Sequence, residues 1–145
     1  MANPSSRYDL TGRTALVTGA GGLLGKQHVA ALAESGARVV VTDVGLAQAE
    51  AAVAALKQVT PSADLIALEI NVTSQDSVRA AHDQLAGRGI SVDILVNNAA
   101  IDPKVTSSPG VMHSSRVEAF PVPQWQADIP VGLTGPLLCA QGFGG

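Results

Sequence analysis

The sequence has little charge, few aromatic residues and a single cysteine. Charged residues make up 14% of the 145 positions and aromatic residues 3%, whereas an average domain has roughly 25% charged residues. The one cysteine, Cys139, excludes an internal disulfide, and with no His or Lys near it in the sequence we expect a small core residue rather than a catalytic thiol. The net charge of −3 is not the basic excess that neutralises nucleic-acid phosphates. We therefore expect no nucleic-acid partner.

Long hydrophobic runs are absent as well. No apolar run approaches the roughly 18 residues of a membrane span. Residues 1–10 form a polar N-terminal tail without the apolar segment of a signal peptide. We expect no membrane partner and a cytoplasmic location. The three histidines are not clustered with Asp, Glu or Cys, so we also expect no metal site.

What the sequence does contain is an alternation of apolar runs and helical stretches over the first hundred residues. The predicted strands are residues 14–18, 38–43, 64–70 and 92–97, and the predicted helices are 23–34, 46–58 and 73–85. Thr73, with Asp76 three residues on, predicts a capping box for the third helix. Strands that are apolar throughout are covered on both faces, which is typical of a parallel sheet between helices. The pattern therefore predicts an α/β fold with a doubly wound parallel sheet.

The composition changes after residue 100. Residues 101–123 contain four prolines and two Ser–Ser pairs, which predict a long surface loop. His113 lies in this loop and is a possible substrate contact. Residues 123–140 regain helical character, but Pro130 and Pro136 interrupt it, so we expect a kinked helix.

A glycine-rich segment, Thr18–Gly25, joins the first predicted strand to the first predicted helix. Its glycines at 19, 22 and 25 follow the spacing G-x-x-G-x-x-G. One glycine permits a tight turn, another lets the backbone approach a pyrophosphate, and the last allows the helix to pack close to the sheet. The start of the helix then offers free N–H groups to the phosphates. Because the segment lies between a strand and a helix, it predicts a dinucleotide site.

Asp43 ends the second predicted strand, 18 residues after Gly25. A carboxylate at this position can accept hydrogen bonds from ribose hydroxyls and would repel a 2′-phosphate, and no Arg or Lys follows it closely. NAD is therefore favoured over NADP. Taken alone, Asp43 is equally well explained as a turn residue at a strand end; beside the glycine loop we favour the ribose role.

Four features in this order give the sequence a family resemblance: the Thr18–Gly25 loop, Asp43, the run 71–73 (Asn-Val-Thr) and the run 97–100 (Asn-Asn-Ala-Ala). Together they make the chain resemble the N-terminal, cofactor-binding half of the short-chain dehydrogenase/reductase family. The resemblance implies a Rossmann-like three-layer α/β/α fold with strand order 3-2-1-4. It also implies a set of cofactor-binding residues, namely Gly19, Gly22, Leu23, Leu24, Gly25, Asp43, Asn71, Val72, Asn98, Ala99 and Ala100.

The resemblance gives several of these residues individual roles. Leu23 stands where the family commonly has a glycine, whose place Gly22 takes one position earlier. Asn71 and Val72 are implied to lie beside the adenine ring, with the Asn71 side-chain carbonyl accepting from the adenine amino group. The run 98–100 is implied to line the adenosine and nicotinamide-ribose side and to brace the central strand.

The family's catalytic residues have no counterparts in these 145 residues. The family uses a Tyr-x-x-x-Lys pair, a preceding Ser and a helical Asn for hydride transfer between an alcohol or carbonyl substrate and the nicotinamide. The one tyrosine is Tyr8, with Gly12 four residues on, and Gly132 stands where the Asn is expected. We therefore expect the dinucleotide-binding part of an NAD-dependent oxidoreductase, truncated after about four strands and the fifth helix and inactive alone.

Two alternatives stay open, a non-catalytic dinucleotide-binding module and a degenerate truncated product. For any of these, the apolar strand at residues 92–96, in which Asp93 is the one charged residue, would be a sheet edge, and such edges favour association. The helix around Trp125 resembles the family's subunit-contact helix. We therefore expect a homo-oligomer.

Overall fold

Four strands alternate with three helices, and two further helices follow. The computed structural model describes residues 8–101 and 117–144. The elements are β1 (Thr14–Val17), α1 (Leu23–Glu34), β2 (Arg38–Asp43), α2 (Leu46–Val59), β3 (Leu65–Glu69), α3 (Gln75–Ala86), β4 (Ile94–Val96), α4 (Val122–Ile129) and α5 (Gly135–Phe143). A single 3₁₀ turn, Val117–Ala119, precedes α4, and a π-helical turn, Pro130–Thr134, joins α4 to α5.

The four strands form one parallel sheet in the order β3-β2-β1-β4. Leu16 of β1 pairs with Val40 of β2 on one side and with Leu95 of β4 on the other. The predicted strand order is therefore confirmed. It places β1, with the glycine loop at its carboxyl end, between the second and fourth strands.

Two hydrophobic cores cover the two faces of this sheet. Leu16 and Val40 belong to a core that includes Val78 of α3 and Cys139 of α5. The neighbouring strand residues, such as Val39 and Val41, point the other way and pack in a second core with Val29 of α1 and Ala52 of α2. Because alternate strand residues face opposite sides, the apolar residues of β1 and β2 are buried on both faces of the sheet. The predicted doubly wound three-layer fold is confirmed.

The predicted kinked helix is divided at Pro130. Proline has no backbone N–H, so the helical hydrogen-bond pattern cannot continue through it, and a π turn takes its place. Pro136, which was also expected to disturb the helix, lies in the first turn of α5, where a missing N–H is tolerated. The expected capping box also differs from the structure, since Ser74 rather than Thr73 caps α3 by accepting from the Ser77 N–H at 3.2 Å.

Both ends of the predicted long loop can be located. Residues 102–116, with His113, lie outside the described residues, as do residues 1–7 of the predicted tail. Helix α4 begins at Val122, so the last two residues assigned to the loop are helical.

In the described part of the chain, no helix has the length and apolar character needed to cross a membrane.

Candidate functional site

A cavity of about 840 Å³ lies at the carboxyl ends of the strands. All eleven residues that the sequence suggested for cofactor binding line it. The sequence did not single out six further residues that also line it: Gly21, Val44, Gln48, Ile70, Ile101 and Val131. Crevices at this edge of a doubly wound sheet are where such folds bind ligands, and the volume suits a small organic ligand.

The glycine loop lies close both to the segment after β4 and to the start of α1. A side chain at Gly19 or Gly25 would prevent these approaches. Gly19 has φ +62°, and a Cβ on it would lie 2.8 Å from the Cα of Ala99. A Cβ on Gly25 would lie 2.6 Å from the Cα of Ala20, so this glycine lets α1 pack against the end of β1. Gly22 is less constrained, since the nearest atom to a Cβ there is the Gly19 oxygen at 3.4 Å. It is the N-cap of α1, with extended backbone.

Thr18 and Asn98 lock the glycine loop to the segment after β4. The buried Thr18 hydroxyl accepts from the backbone N–H groups of Asn98 and Ala99 at 3.0 and 3.1 Å. In return, the Asn98 side-chain amide donates to the carbonyl oxygens of Thr18 and Gly19 at 2.9 and 3.1 Å. The amide hydrogens of Asn98 thus hold the loop in shape. No individual role for Thr18 can be predicted from the sequence, because this network joins positions 80 residues apart.

Asp43 is tied to the glycine loop through Gly21. The Gly21 N–H donates to Asp43 Oδ2 at 2.9 Å, and the Val44 N–H donates to Oδ1 at 2.8 Å. A Cβ on Gly21 would lie 2.8 Å from Oδ2 and 3.3 Å from the Cβ of Gln48. Gly21 is therefore needed at this contact, although the G-x-x-G-x-x-G spacing did not select it.

The N-terminus of α1 opens into the same cavity. The first N–H groups of a helix have no partner within it and attract anions. Leu23 and Leu24, at the first two positions, have side chains that are 84% and 65% exposed. Both residues line the cavity, so the start of α1 forms part of its wall.

Asn71 uses its side-chain carbonyl within its own turn. Asn71 Oδ1 accepts from the N–H of Thr73 at 3.0 Å and from the Thr73 hydroxyl at 2.7 Å. The Asn71 N–H donates to the Ser77 hydroxyl at 2.9 Å. A carbonyl oxygen has two lone pairs, and both have partners here, so a hydrogen bond from an adenine amino group would have to displace one of them. The expected acceptance from adenine stays a prediction.

The charge of the cavity comes from one residue. Among the described residues that line it, only Asp43 is ionisable, and none is Lys or Arg. Cys139 lies outside the cavity in the core, where burial raises the pKa of its thiol, as expected of a core residue. Across residues 8–101 and 117–144, no group of three His, Cys, Asp or Glu side chains is arranged to hold a metal ion.

Neither Tyr8 nor Gly132 brings an acid or a base to the cavity. Tyr8 is 73% exposed at the start of the described chain and is not among the lining residues. Gly132 lies in the π turn, and a Cβ built there meets no atom within 4 Å. Its neighbour Val131 does line the cavity.

Known proteins match both the sequence and the fold. The family model for short chain dehydrogenases matches residues 13–144. A short chain dehydrogenase/reductase of Colletotrichum higginsianum (strain IMI 349063) is 35% identical over 128 residues, which are 88% of this chain and 44% of that protein. A 3-oxoacyl-[acyl-carrier-protein] reductase of Synechocystis sp. (strain ATCC 27184 / PCC 6803 / Kazusa) is 33% identical over 132 residues, which are 91% of this chain and 49% of that protein.

Among solved structures, a gluconate 5-dehydrogenase from Burkholderia cenocepacia J2315, in complex with NADP and tartrate, superimposes with a TM-score of 0.80 at 31% identity. The match covers 98% of this chain and 51% of that one. The chain thus spans about half the length of the relatives it matches. The family model covers most of the chain, and the fold and the glycine loop agree with it, so the chain belongs to the short-chain dehydrogenase family, a family of oxidoreductases.

Proposed function

We propose that the cavity binds the adenosine and pyrophosphate parts of a nicotinamide dinucleotide, with NAD preferred to NADP. The observation that supports this most directly is the contact between Asp43 and Gly21, because it joins the acidic strand end to the glycine loop at one cavity wall. A carboxylate has about four acceptor positions. Its two hydrogen bonds to backbone N–H groups therefore leave capacity for ribose hydroxyls.

The other lining residues would hold the rest of the dinucleotide. The N-terminus of α1, with Gly22 as its N-cap, would bind the pyrophosphate through the backbone N–H groups of Leu23 and Leu24. Ala99 and Ala100 would line the nicotinamide-ribose side. When bound, the nicotinamide supplies hydride chemistry, and in the whole protein we infer an alcohol or carbonyl as the small-molecule substrate.

The preference for NAD rests on charge. Asp43 would face the adenosine ribose, where NADP has a 2′-phosphate, and no Lys or Arg among the described lining residues could neutralise that phosphate. Titration calorimetry with NAD and NADP measures the preference directly. We expect NAD to bind at least tenfold more tightly, and Asp43→Asn, which keeps an acceptor for the Gly21 N–H, to reduce the ratio about tenfold. Equal affinities in the unmodified protein would contradict the preference.

We infer further that residues 1–145 bind the cofactor without turnover. No Tyr-x-x-x-Lys occurs in the sequence, and Gly132 has no side chain to donate or accept a proton. These observations also favour the second candidate, a non-catalytic dinucleotide-binding module. NADH fluorescence tests for binding, and alcohol-dependent formation of NADH tests for turnover. We expect binding alone; turnover by this chain would contradict the inference, and no binding at millimolar NADH would contradict the proposed function itself.

A homo-oligomer is proposed from an apolar stripe that runs from α4 through the π turn to α5. The stripe consists of Val122, Trp125, Leu133 and Leu137, each more than half exposed. Asp128 is the only charged residue in either helix or in the turn between them. Neighbouring exposed apolar residues with little charge among them are typical of contacts between proteins. The cytoplasmic location stays a prediction from the sequence.

A further inference from the structure

The strand order locates the base end of the cavity. With the pyrophosphate at the glycine loop after β1 and the ribose at Asp43 after β2, the base would lie one strand further on, after β3. The structure joins these two strand ends directly, because the Ile70 N–H donates to the Asp43 carbonyl at 2.8 Å. The next residue is Asn71, which is exposed and lines the cavity beside Val72.

The orientation of the Asn71 amide follows from its neighbours. The atom 3.0 Å from the Thr73 N–H must be an acceptor, so it is the carbonyl oxygen and not the amide nitrogen. The same oxygen accepts from the Thr73 hydroxyl at 2.7 Å. The group that Asn71 has left for a ligand is therefore its Nδ2 amino group, a donor with no protein partner among the described hydrogen bonds.

We propose that Asn71 donates a hydrogen bond to the base of the dinucleotide and so makes the site tolerant of a 6-oxo purine. This inference rests on the proposed function. The 6-amino group of adenine is a donor only and cannot pair with Nδ2, whereas the 6-carbonyl of hypoxanthine is an acceptor that can.

Asn71→Asp would replace the hydrogen-bond donor that faces the base with an acceptor. One carboxylate oxygen could keep both bonds from Thr73, which preserves the turn, and the other would be an acceptor facing the cavity. Such an acceptor matches the 6-amino group of adenine and opposes a 6-carbonyl. Asn71→Asp is nearly isosteric, so it changes the hydrogen-bonding character with little change in shape.

The test compares NAD with nicotinamide hypoxanthine dinucleotide on the unmodified chain and on Asn71→Asp, with affinities from titration calorimetry. The quantity of interest is the Kd of the hypoxanthine dinucleotide divided by the Kd of NAD. Other contacts of the base cancel when this ratio is compared between the two proteins. We expect the ratio to be about tenfold higher in Asn71→Asp, the effect of one hydrogen bond gained and one lost.

Gln75→Glu is the matched control, because it adds the same charge at the exposed first residue of α3, outside the lining of the cavity. It is expected to leave the ratio unchanged, and thermal unfolding checks that both variants are folded. NAD binding with the same ratio in all three proteins would overturn the role of Asn71 and leave the proposed function intact. A chain that binds neither dinucleotide would overturn the proposed function and this inference with it. If Asn71→Asp does not fold, Asn71→Ala, which removes the Nδ2 donor, is expected to lower the relative affinity for the hypoxanthine dinucleotide. An unchanged ratio in that variant would overturn the role.

Discussion

Gly21 and Asp43 are 22 positions apart in the chain, and their contact determines what the cavity presents to a ligand. The hydrogen bond from the Gly21 N–H fixes one carboxylate oxygen at 2.9 Å. The absence of a Cβ on Gly21 is what lets that oxygen approach. At this scale the function depends on a residue without a side chain as much as on the carboxylate.

Gly21→Ala is expected to weaken NAD binding about tenfold while the chain stays folded. The added Cβ would lie 2.8 Å from Asp43 Oδ2, so the carboxylate must move away from the ribose position, and a misplaced charged hydrogen bond costs roughly 1.5 kcal/mol or more. Titration calorimetry with NAD measures the effect. Gly132→Ala serves as the control, because a Cβ at position 132 meets no atom within 4 Å. Equal affinities of the two variants for NAD would show that Gly21 does not position Asp43.

Among the elements, α3 illustrates how a cap is chosen. Thr73 and Ser74 are both suitable N-cap residues, and the sequence pattern favoured Thr73 because Asp76 follows three residues later. In the structure the Thr73 hydroxyl donates to Asn71, and Ser74 accepts from the Ser77 N–H. Adjacent candidates of this kind cannot be separated by spacing alone, since the choice depends on a turn that precedes the helix.

Ser74→Ala is expected to lower the free energy of unfolding by about 1 kcal/mol, the usual effect of removing an N-cap side chain. Urea denaturation of Ser74→Ala and Thr73→Ala provides the comparison. Thr73→Ala removes only an exposed hydroxyl hydrogen bond and should cost less. A larger loss of unfolding free energy in Thr73→Ala than in Ser74→Ala would mean that Thr73 caps the helix, as the sequence pattern predicts.

The beginnings of β1 and β4 are joined by Asp93. Its carboxylate accepts from the Thr14 N–H at 2.8 Å and pairs with Arg13 at 2.9 Å. The hydrogen bond from the Thr14 backbone, followed by that from Arg13, lowers the pKa of Asp93. A carboxyl group whose pKa is lower in the folded protein stabilises it at pH values above the ordinary pKa, and this contribution is lost as the pH falls through the lowered pKa.

Asp93→Asn is expected to reduce stability at pH 7 and to flatten the decline in stability below about pH 4, the ordinary range of an aspartate. The urea midpoint, measured from pH 7 down to pH 2.5, tests both effects. Asp64→Asn, which removes the more exposed carboxylate that pairs with Arg38, is measured in parallel as a second loss of an ion pair. An identical pH profile for Asp93→Asn and the unmodified chain would contradict a stabilising role for this carboxylate.

For the molecule as a whole, the sheet order, the three layers and the position of the cavity could be predicted from the sequence. Strand burial and the junction of strand, glycine loop and helix are each determined by residues that are contiguous in the sequence, so they can be predicted from it. Three contacts could not be predicted. These are the hydrogen bond between Gly21 and Asp43, the bonds between Thr18 and Asn98, and the bond from the Thr73 N–H to the Asn71 carbonyl. The first two depend on atoms that folding brings together from different strands, and the third depends on the conformation of one turn.

Self-association is expected at this scale, through the apolar stripe of α4 and α5. Light scattering should give a mass above that of one 14.7 kDa chain, and the double variant Leu133→Glu/Leu137→Glu should shift it toward the monomer, because charges would be buried in the contact. A monomer at high concentration in the unmodified chain would contradict the prediction. An oligomer that persists in the double variant would point instead to the open edge of β4.

We expect NAD to bind with its adenosine part between the glycine loop and the carboxyl ends of β2 and β3. The most direct test is a titration of the ¹⁵N-labelled chain with NAD, followed by amide chemical shifts. We expect saturable shifts at Gly21, Val44 and Asn71, with small changes at Gly89 and other amides remote from the cavity. An unchanged spectrum at millimolar NAD, or shifts confined to residues outside the cavity, would contradict it.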